Sequence, residues 1–86
     1  MGARVRMYSS GFCPFCRRAE ALLAARGVKQ IETLRVDLDP HLLAEMVRAT
    51  GRRTVPQIFI NEQHVGGYDD LAAMDREGAL ANLLTG

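Results

Sequence analysis

The spacing of apolar and polar residues changes several times along the chain, and each change marks an element. Val5, Met7 and Ser9 alternate with Arg4, Arg6 and Tyr8, the period of two that suits a short strand. Ser9-Ser10-Gly11 interrupts it. Residues 14–26 are strong helix formers, with Pro14 in the first turn and Gly27 placed as a stop. On a helical wheel Cys16, Ala19, Leu22 and Leu23 share one face, and Arg17, Arg18, Ala21 and Ala25 point to solvent. Residues 31–36, with Ile31, Leu34 and Val36, predict a second strand. Asp39 and Pro40 open a second helix as N-cap and first residue; Leu43, Met46 and Val47 form its apolar stripe, and Gly51 ends it. Residues 54–60 predict a third strand with Pro56 at its mouth. Asn61-Glu62-Gln63 has turn chemistry, and His64-Val65 completes a hairpin. After Gly66-Gly67 a last helix is expected from Asp69-Asp70, carrying Leu71 and Met74 to about Glu77 and kinked at Gly78 before residues 79–84.

The resulting order is β-α-β-α-β-β-α. The first unit has the length of a right-handed βαβ crossover, and the last two strands read as antiparallel. An α/β fold is expected, a four-stranded mixed sheet with helices on both faces. With 86 residues the chain is read as one domain, 1–86. Its 48% hydrophobic and 24% charged residues are ordinary globular usage. A net charge of +1 removes the electrostatic case for nucleic acid or an anionic membrane as partner. The segment Met1-Gly2-Ala3-Arg4-Val5-Arg6 lacks the apolar stretch of a secretion signal, and Arg6 stands where a myristoylation pattern needs Ser or Thr. No apolar run reaches the length of a membrane span. A cytoplasmic, reducing setting is expected.

Only two cysteines occur, in Cys13-Pro14-Phe15-Cys16. A bridge across so short a gap constrains little of the unfolded chain, so stability is a poor reason for them. They lie where the first strand hands over to the first helix. Cys13 falls at the helix N-cap or first position, where unpaired N–H groups and the positive end of the macrodipole favour a thiolate. Cys16, one turn on, points toward the core with Ala19 and Leu23. The expected pair is an exposed nucleophile, Cys13, and a buried resolving thiol, Cys16, which is what disulfide exchange requires. Pro14 removes one N–H donor near Cys13 and stiffens the turn. Competing readings are half of a zinc site completed by His41 and His64, two inert core cysteines, or a cysteine hydrolase lacking an evident histidine partner.

Two more segments bear on this choice. Thr54-Val55-Pro56, continued by Gln57-Ile58-Phe59-Ile60, and Gly66-Gly67-Tyr68-Asp69-Asp70-Leu71 stand in order after Cys13-Pro14-Phe15-Cys16. Together they resemble the glutaredoxin pattern over nearly the whole chain, and most of all the small bacterial dithiol glutaredoxins. The resemblance implies a thioredoxin-like fold, a cis bond before Pro56, and glutathione as co-substrate with no tightly bound cofactor and no metal. It implies catalysis by Cys13 and Cys16, with glutathione bound by Phe15, Arg52, Arg53, Thr54, Val55, Pro56, Gly67, Tyr68, Asp69 and Asp70. In that scheme the Val55 backbone pairs with glutathione as a strand would. The helix N-terminus at Asp69-Asp70 takes its γ-glutamyl carboxylate, and an Asp takes its ammonium. Phe15 replaces a common Tyr and keeps a flat apolar wall.

The chain departs from the family pattern at Ser10, where many glutaredoxins carry a Lys for the glycine carboxylate. Arg52 and Arg53 are the expected substitutes. Expected partners are glutathione and disulfide-containing or glutathionylated proteins, and a monomer is expected. Two alternatives remain. One is a redoxin served by thioredoxin reductase. The other is an iron–sulfur cluster carrier in which two chains each lend a Cys and two glutathiones complete the ligands, an arrangement that the resemblance says Pro14 disfavours.

Overall fold

Alternation in residues 5–9 sends side chains to two opposite cores in the computed structural model, which describes residues 2–85. Met1, part of the N-terminal segment read above, lies outside the described residues. The elements are β1 (Val5–Ser9), α1 (Pro14–Ala25), β2 (Glu32–Arg35), α2 (Pro40–Thr50), β3 (Gln57–Ile60), β4 (Gln63–Gly66), α3 (Tyr68–Arg76) and α4 (Ala79–Thr85). The strands form one sheet in the order β2-β1-β3-β4. β1 runs parallel to β2 and antiparallel to β3, and β3 and β4 form an antiparallel hairpin.

Val5 and Met7 from β1 and Ile58 and Ile60 from β3 face one side. There they pack with Cys16, Ala19 and Leu23 of α1, Leu71 of α3, and Leu80 and Leu84 of α4. Tyr8 and Phe59, their strand neighbours, face the other side and pack with Met46 of α2. Helices thus cover both faces, as the sequence predicts. The central strand β3 is buried along its whole length, so it reads as a continuous apolar run broken only by Gln57.

Local chemistry sets the ends. Asp39 caps α2 by accepting from the His41 amide at 2.9 Å, with Pro40 beside it, and Gly51 closes the helix at φ 72°. The hairpin turn is tighter than expected. Asn61 and Glu62 alone make it, at φ 50° and 68°, the left-handed pair of a two-residue type I′ loop. Gln63 therefore joins β4. The third strand starts at Gln57 and not at residue 54, because residues 54–56 leave the ladder at the cis Val55–Pro56 bond. The expected single terminal helix is corrected to two, since Gly78 at φ 82° separates α3 from α4.

Candidate active site

Cys13 is the N-cap of α1. Its Sγ accepts a hydrogen bond from the Cys16 amide at 3.1 Å, and its carbonyl takes the first intrahelical bond, from the Arg17 amide. The two cysteines are joined as a disulfide with their Cα atoms 5.1 Å apart. Cys16 is fully buried, whereas Cys13 is 9% exposed. The order of exposure is the predicted one, but the expected open nucleophile is recessed. The bridge to Cys16 covers one side of its sulfur, and the Val55 carbonyl lies 3.7 Å away. In the dithiol state a Cys13 thiol can donate to that carbonyl, and a Cys13 thiolate gains most from the Cys16 amide.

A groove of about 230 Å³ is lined by Phe15, Arg52, Thr54, Val55, Pro56, Gln57, Gly67, Tyr68, Asp69 and Asp70, and Val55 is the wall whose carbonyl meets the Cys13 sulfur. Phe15, half exposed, and Tyr68 face each other with ring centres 6.1 Å apart. The Arg18 guanidinium sits 5.2 Å from the Phe15 ring centre. Gly67 is the N-cap of α3. Having no side chain to cap with, it donates its own amide to the Asp70 carboxylate at 2.9 Å. That carboxylate also takes the Arg52 guanidinium at 3.2 Å. The Gly67 amide first, and Arg52 second, hold the Asp70 carboxyl below the usual carboxylate range. Gly66, at φ 118°, runs so close to this carboxylate that a Cβ there would collide with it.

Two further contacts fix the loop that precedes Cys13. Arg35 and Asp37 form a bidentate pair, and Asp37 accepts from the Gly11 amide at 3.1 Å. The Arg35 hydrogen bonds, helped by the Gly11 amide, hold the Asp37 carboxyl far below its ordinary value. Arg17 does not simply point to solvent: its guanidinium reaches Ser9 Oγ at 3.2 Å and the Ser10 carbonyl at 3.5 Å. The same nitrogen pairs with Glu20 at 3.1 Å, so Arg17 ties the Ser9-Ser10 loop to α1 with its charge already partnered.

The structure brings nine of the predicted site residues together around one groove, with Cys13 against the Val55 carbonyl and Cys16 behind Cys13. Arg53 is placed elsewhere, beside Pro40, Leu43 and Val47 of α2. Arg52 and Arg53 are neighbours in sequence but face different surfaces. Gln57 was not among the expected residues, although a lone amide in an otherwise apolar strand was a readable signal. His64 is not beside the cysteines: its Nε2 lies 2.8 Å from Gln57 Oε1. Among the described residues no cluster of three or more His, Cys, Asp or Glu side chains is arranged to hold a metal ion.

Residues 5–65 match the family model for glutaredoxin. The chain belongs to the glutaredoxin family. Among curated relatives, a glutaredoxin of Neisseria meningitidis is 51% identical over 80 residues, spanning 93% of this chain and 94% of that protein. Glutaredoxin 3 of Escherichia coli is 48% identical over 82 residues, spanning 95% and 98%. Among solved structures, the buckwheat glutaredoxin–glutathione complex superposes with a TM-score of 0.88 at 30% identity, covering 96% of this chain and 77% of that one. Glutaredoxin from Brucella melitensis gives 0.83 at 46% identity, covering 96% and 89%. This glutaredoxin is therefore a thiol–disulfide oxidoreductase of thioredoxin-like fold, and Cys13–Cys16 is its redox-active pair. Among the described residues no helix is long and apolar enough to cross a membrane.

Proposed function

We propose that this glutaredoxin uses glutathione to reduce protein–glutathione mixed disulfides and protein disulfides, acting as a monomer in the reducing cytoplasm. The observation that carries this reading is the groove, which runs from Val55, whose carbonyl lies 3.7 Å from the Cys13 sulfur, to the N-terminus of α3, with a cation, Arg52, and a carboxylate, Asp70, along it. Glutathione has a thiol to place at Cys13, two carboxylates and one ammonium. The amides of the first turn of α3 suit one carboxylate, Arg52 suits the other, and Asp70 or the exposed Asp69 suits the ammonium. The Val55 backbone supplies strand-like pairing beside the sulfur. Phe15, Tyr68, Thr54, Pro56 and Gly67 form the walls. Arg53, on another surface, has no part in this scheme.

The Cys13 thiolate attacks the glutathione sulfur of a mixed disulfide. A Cys13–glutathione bond forms as the old S–S bond breaks, and the protein thiolate leaves and takes a proton from solvent. The thiolate of a second glutathione then attacks that glutathione sulfur, which frees the Cys13 thiolate and yields oxidised glutathione. With a protein disulfide, Cys13 attacks first. The Cys16 thiolate then displaces the second protein thiol and leaves the Cys13–Cys16 disulfide, which glutathione reduces in turn. Pro14 and the position of Cys13 at a helix mouth favour this division of labour.

The test is a pair of variants on a glutathionylated peptide. Cys16→Ser should retain deglutathionylation, and Cys13→Ser should lose it. Activity in Cys13→Ser would refute the nucleophile. Turnover supported by thioredoxin reductase but not by glutathione would refute the reductant.

A further inference from the structure

A hydrogen-bonded row runs from the groove, at Thr54 and Gln57, to His64 of the β3–β4 hairpin. Gln57 is 1% exposed, so its amide must find partners within the protein. Its Nε2 donates to the Thr54 carbonyl at 3.1 Å and lies 3.4 Å from Thr54 Oγ1. A carbonyl only accepts, so this contact fixes which end of the amide is the NH₂ group. Gln57 Oε1 is then the atom that meets His64 Nε2 at 2.8 Å, and since it only accepts, Nε2 must carry the proton. The imidazole is held in turn. His64 pairs with Phe59 across the β3–β4 hairpin, and their rings lie 5.0 Å apart at 30°.

The other end of the row is the loop that needs holding. β3 begins only at Gln57, so residues 54–56 have no place in the sheet ladder. Thr54 is exposed and lines the groove, and the next residue carries the carbonyl 3.7 Å from Cys13 Sγ. Whatever orients Thr54 therefore orients Val55 against the reacting sulfur. His64 itself lines no part of the groove.

We propose that His64 is a positioning residue for the groove beside Cys13, acting through Gln57 on Thr54. The proposal rests on the reading of that groove as the seat of glutathione. His64 delivers one N–H to Gln57 Oε1. Gln57 is thereby turned so that its NH₂ grips Thr54, and the loop that pairs with the bound tripeptide is set before the tripeptide arrives. Losing the N–H leaves a buried acceptor unpaired and frees the Gln57 amide to turn. The cost falls on seating the ligand and not on the exchange at sulfur, because the reacting thiolate is held by the Cys16 amide, which the row does not reach, and has no hydrogen to give the Val55 carbonyl.

The experiment compares wild type with His64→Phe, which keeps a ring against Phe59 but has no donor, and with His64→Gln, which restores an N–H at about the reach of Nε2. Steady-state kinetics are measured with a glutathionylated peptide. Single-turnover reduction of cystamine by the dithiol protein serves as a disulfide that brings no tripeptide. His64→Phe should raise KM for the glutathionylated peptide about five- to tenfold with kcat within about twofold, the scale of one buried hydrogen bond. His64→Gln should recover most of that loss, and the cystamine rate should not change. An unchanged KM in His64→Phe, equal losses in both variants, or a parallel fall in the cystamine rate would overturn the positioning role. If wild type shows no saturation with, and no preference for, the glutathionylated peptide, the reading of the groove fails first and the proposal with it. Nitrogen-15 shifts of the wild-type imidazole give a check that needs no variant: a proton on Nε2 supports the row, and a neutral ring protonated on Nδ1 refutes it.

Discussion

The Arg52 guanidinium lies 3.2 Å from the Asp70 carboxylate and ties the loop before β3 to the first turn of α3. The same Asp70 oxygen accepts from the Gly67 amide, so one carboxylate holds a helix start and one wall of the groove. Asp70→Asn removes the charge from both contacts. Because the folded Asp70 carboxyl is held below its ordinary value, its stabilisation is present above the unfolded pKa of about 3.9 and is lost as pH falls through the folded value. The variant should melt at a lower temperature at pH 7, and the gap from wild type should close as the pH is taken below about 4. Thermal melts across that range check it.

The pair also acts on His64. Burial is the main cause of that histidine's depressed pKa; the Arg52 charge adds to it and the Asp70 charge opposes it. Arg52→Ala should therefore raise the His64 pKa toward 6.5, whereas Asp70→Asn should lower it further. The consequence for stability has a definite sign. A depressed His64 pKa contributes stability above about pH 6.5 that is lost as pH falls through the folded value. Proton NMR titration of the His64 ring in the three proteins measures the shifts.

Tyr8 offers a test at the alkaline end. Burial first, then the hydrogen bond to Glu45, push its phenol from 10.0 up to about 12. With two Tyr and no Trp in the chain, a Tyr68→Phe background leaves Tyr8 as the only phenol. Its phenolate absorbance should appear near pH 12 in the folded protein, and at a lower pH when Glu45→Gln is added. Since the folded value is the higher one, the stability it brings is whole below about pH 10 and declines as pH rises through about 12.

Leu23 and Leu38 separate burial from composition. Leu23 is fully buried against the sheet, whereas Leu38 is 71% exposed. Leu23→Ala should cost about 2–5 kcal/mol in chemical denaturation, through lost contacts and the cavity left behind. Leu38→Ala should stay within about 0.5 kcal/mol of wild type.

Much of this architecture was legible because its signals are local. Pro14, Asp39-Pro40 and Gly51 mark helix ends by backbone chemistry, and the alternation from Val5 to Ser9 declares a strand. Cys13 at a helix mouth announced a thiolate site for the same reason. What escaped depends on which residues meet in space. Arg52 and Arg53 look equivalent as a dipeptide, and only the turn of the loop sends one to the groove and the other to α2. A helical wheel gives the direction of Arg17 at its Cα but not the reach of a long side chain, and so it missed the bonds to Ser9 and Ser10. Gln57, a polar residue in an apolar strand, was the visible clue to a hydrogen-bonded network whose other members, Thr54 and His64, read as a strand start and part of a hairpin. Gly78 permits either a kink or a break, and only the structure shows the break, with Leu80 and Leu84 of the separate last helix seated in the core.

The sulfur that exchanges disulfides is the same atom that caps α1, held by the Cys16 amide at 3.1 Å. Electron transfer in this protein is thus written into its backbone. Each gain or loss of charge on Cys13 strengthens or weakens the hydrogen bond that starts a helix, so the Cys16 N–H is a built-in gauge of the oxidation state. Its proton should shift and exchange more slowly when Cys13 is a thiolate than when the sulfur is bridged, which would let turnover be followed from a single amide without labelling either thiol.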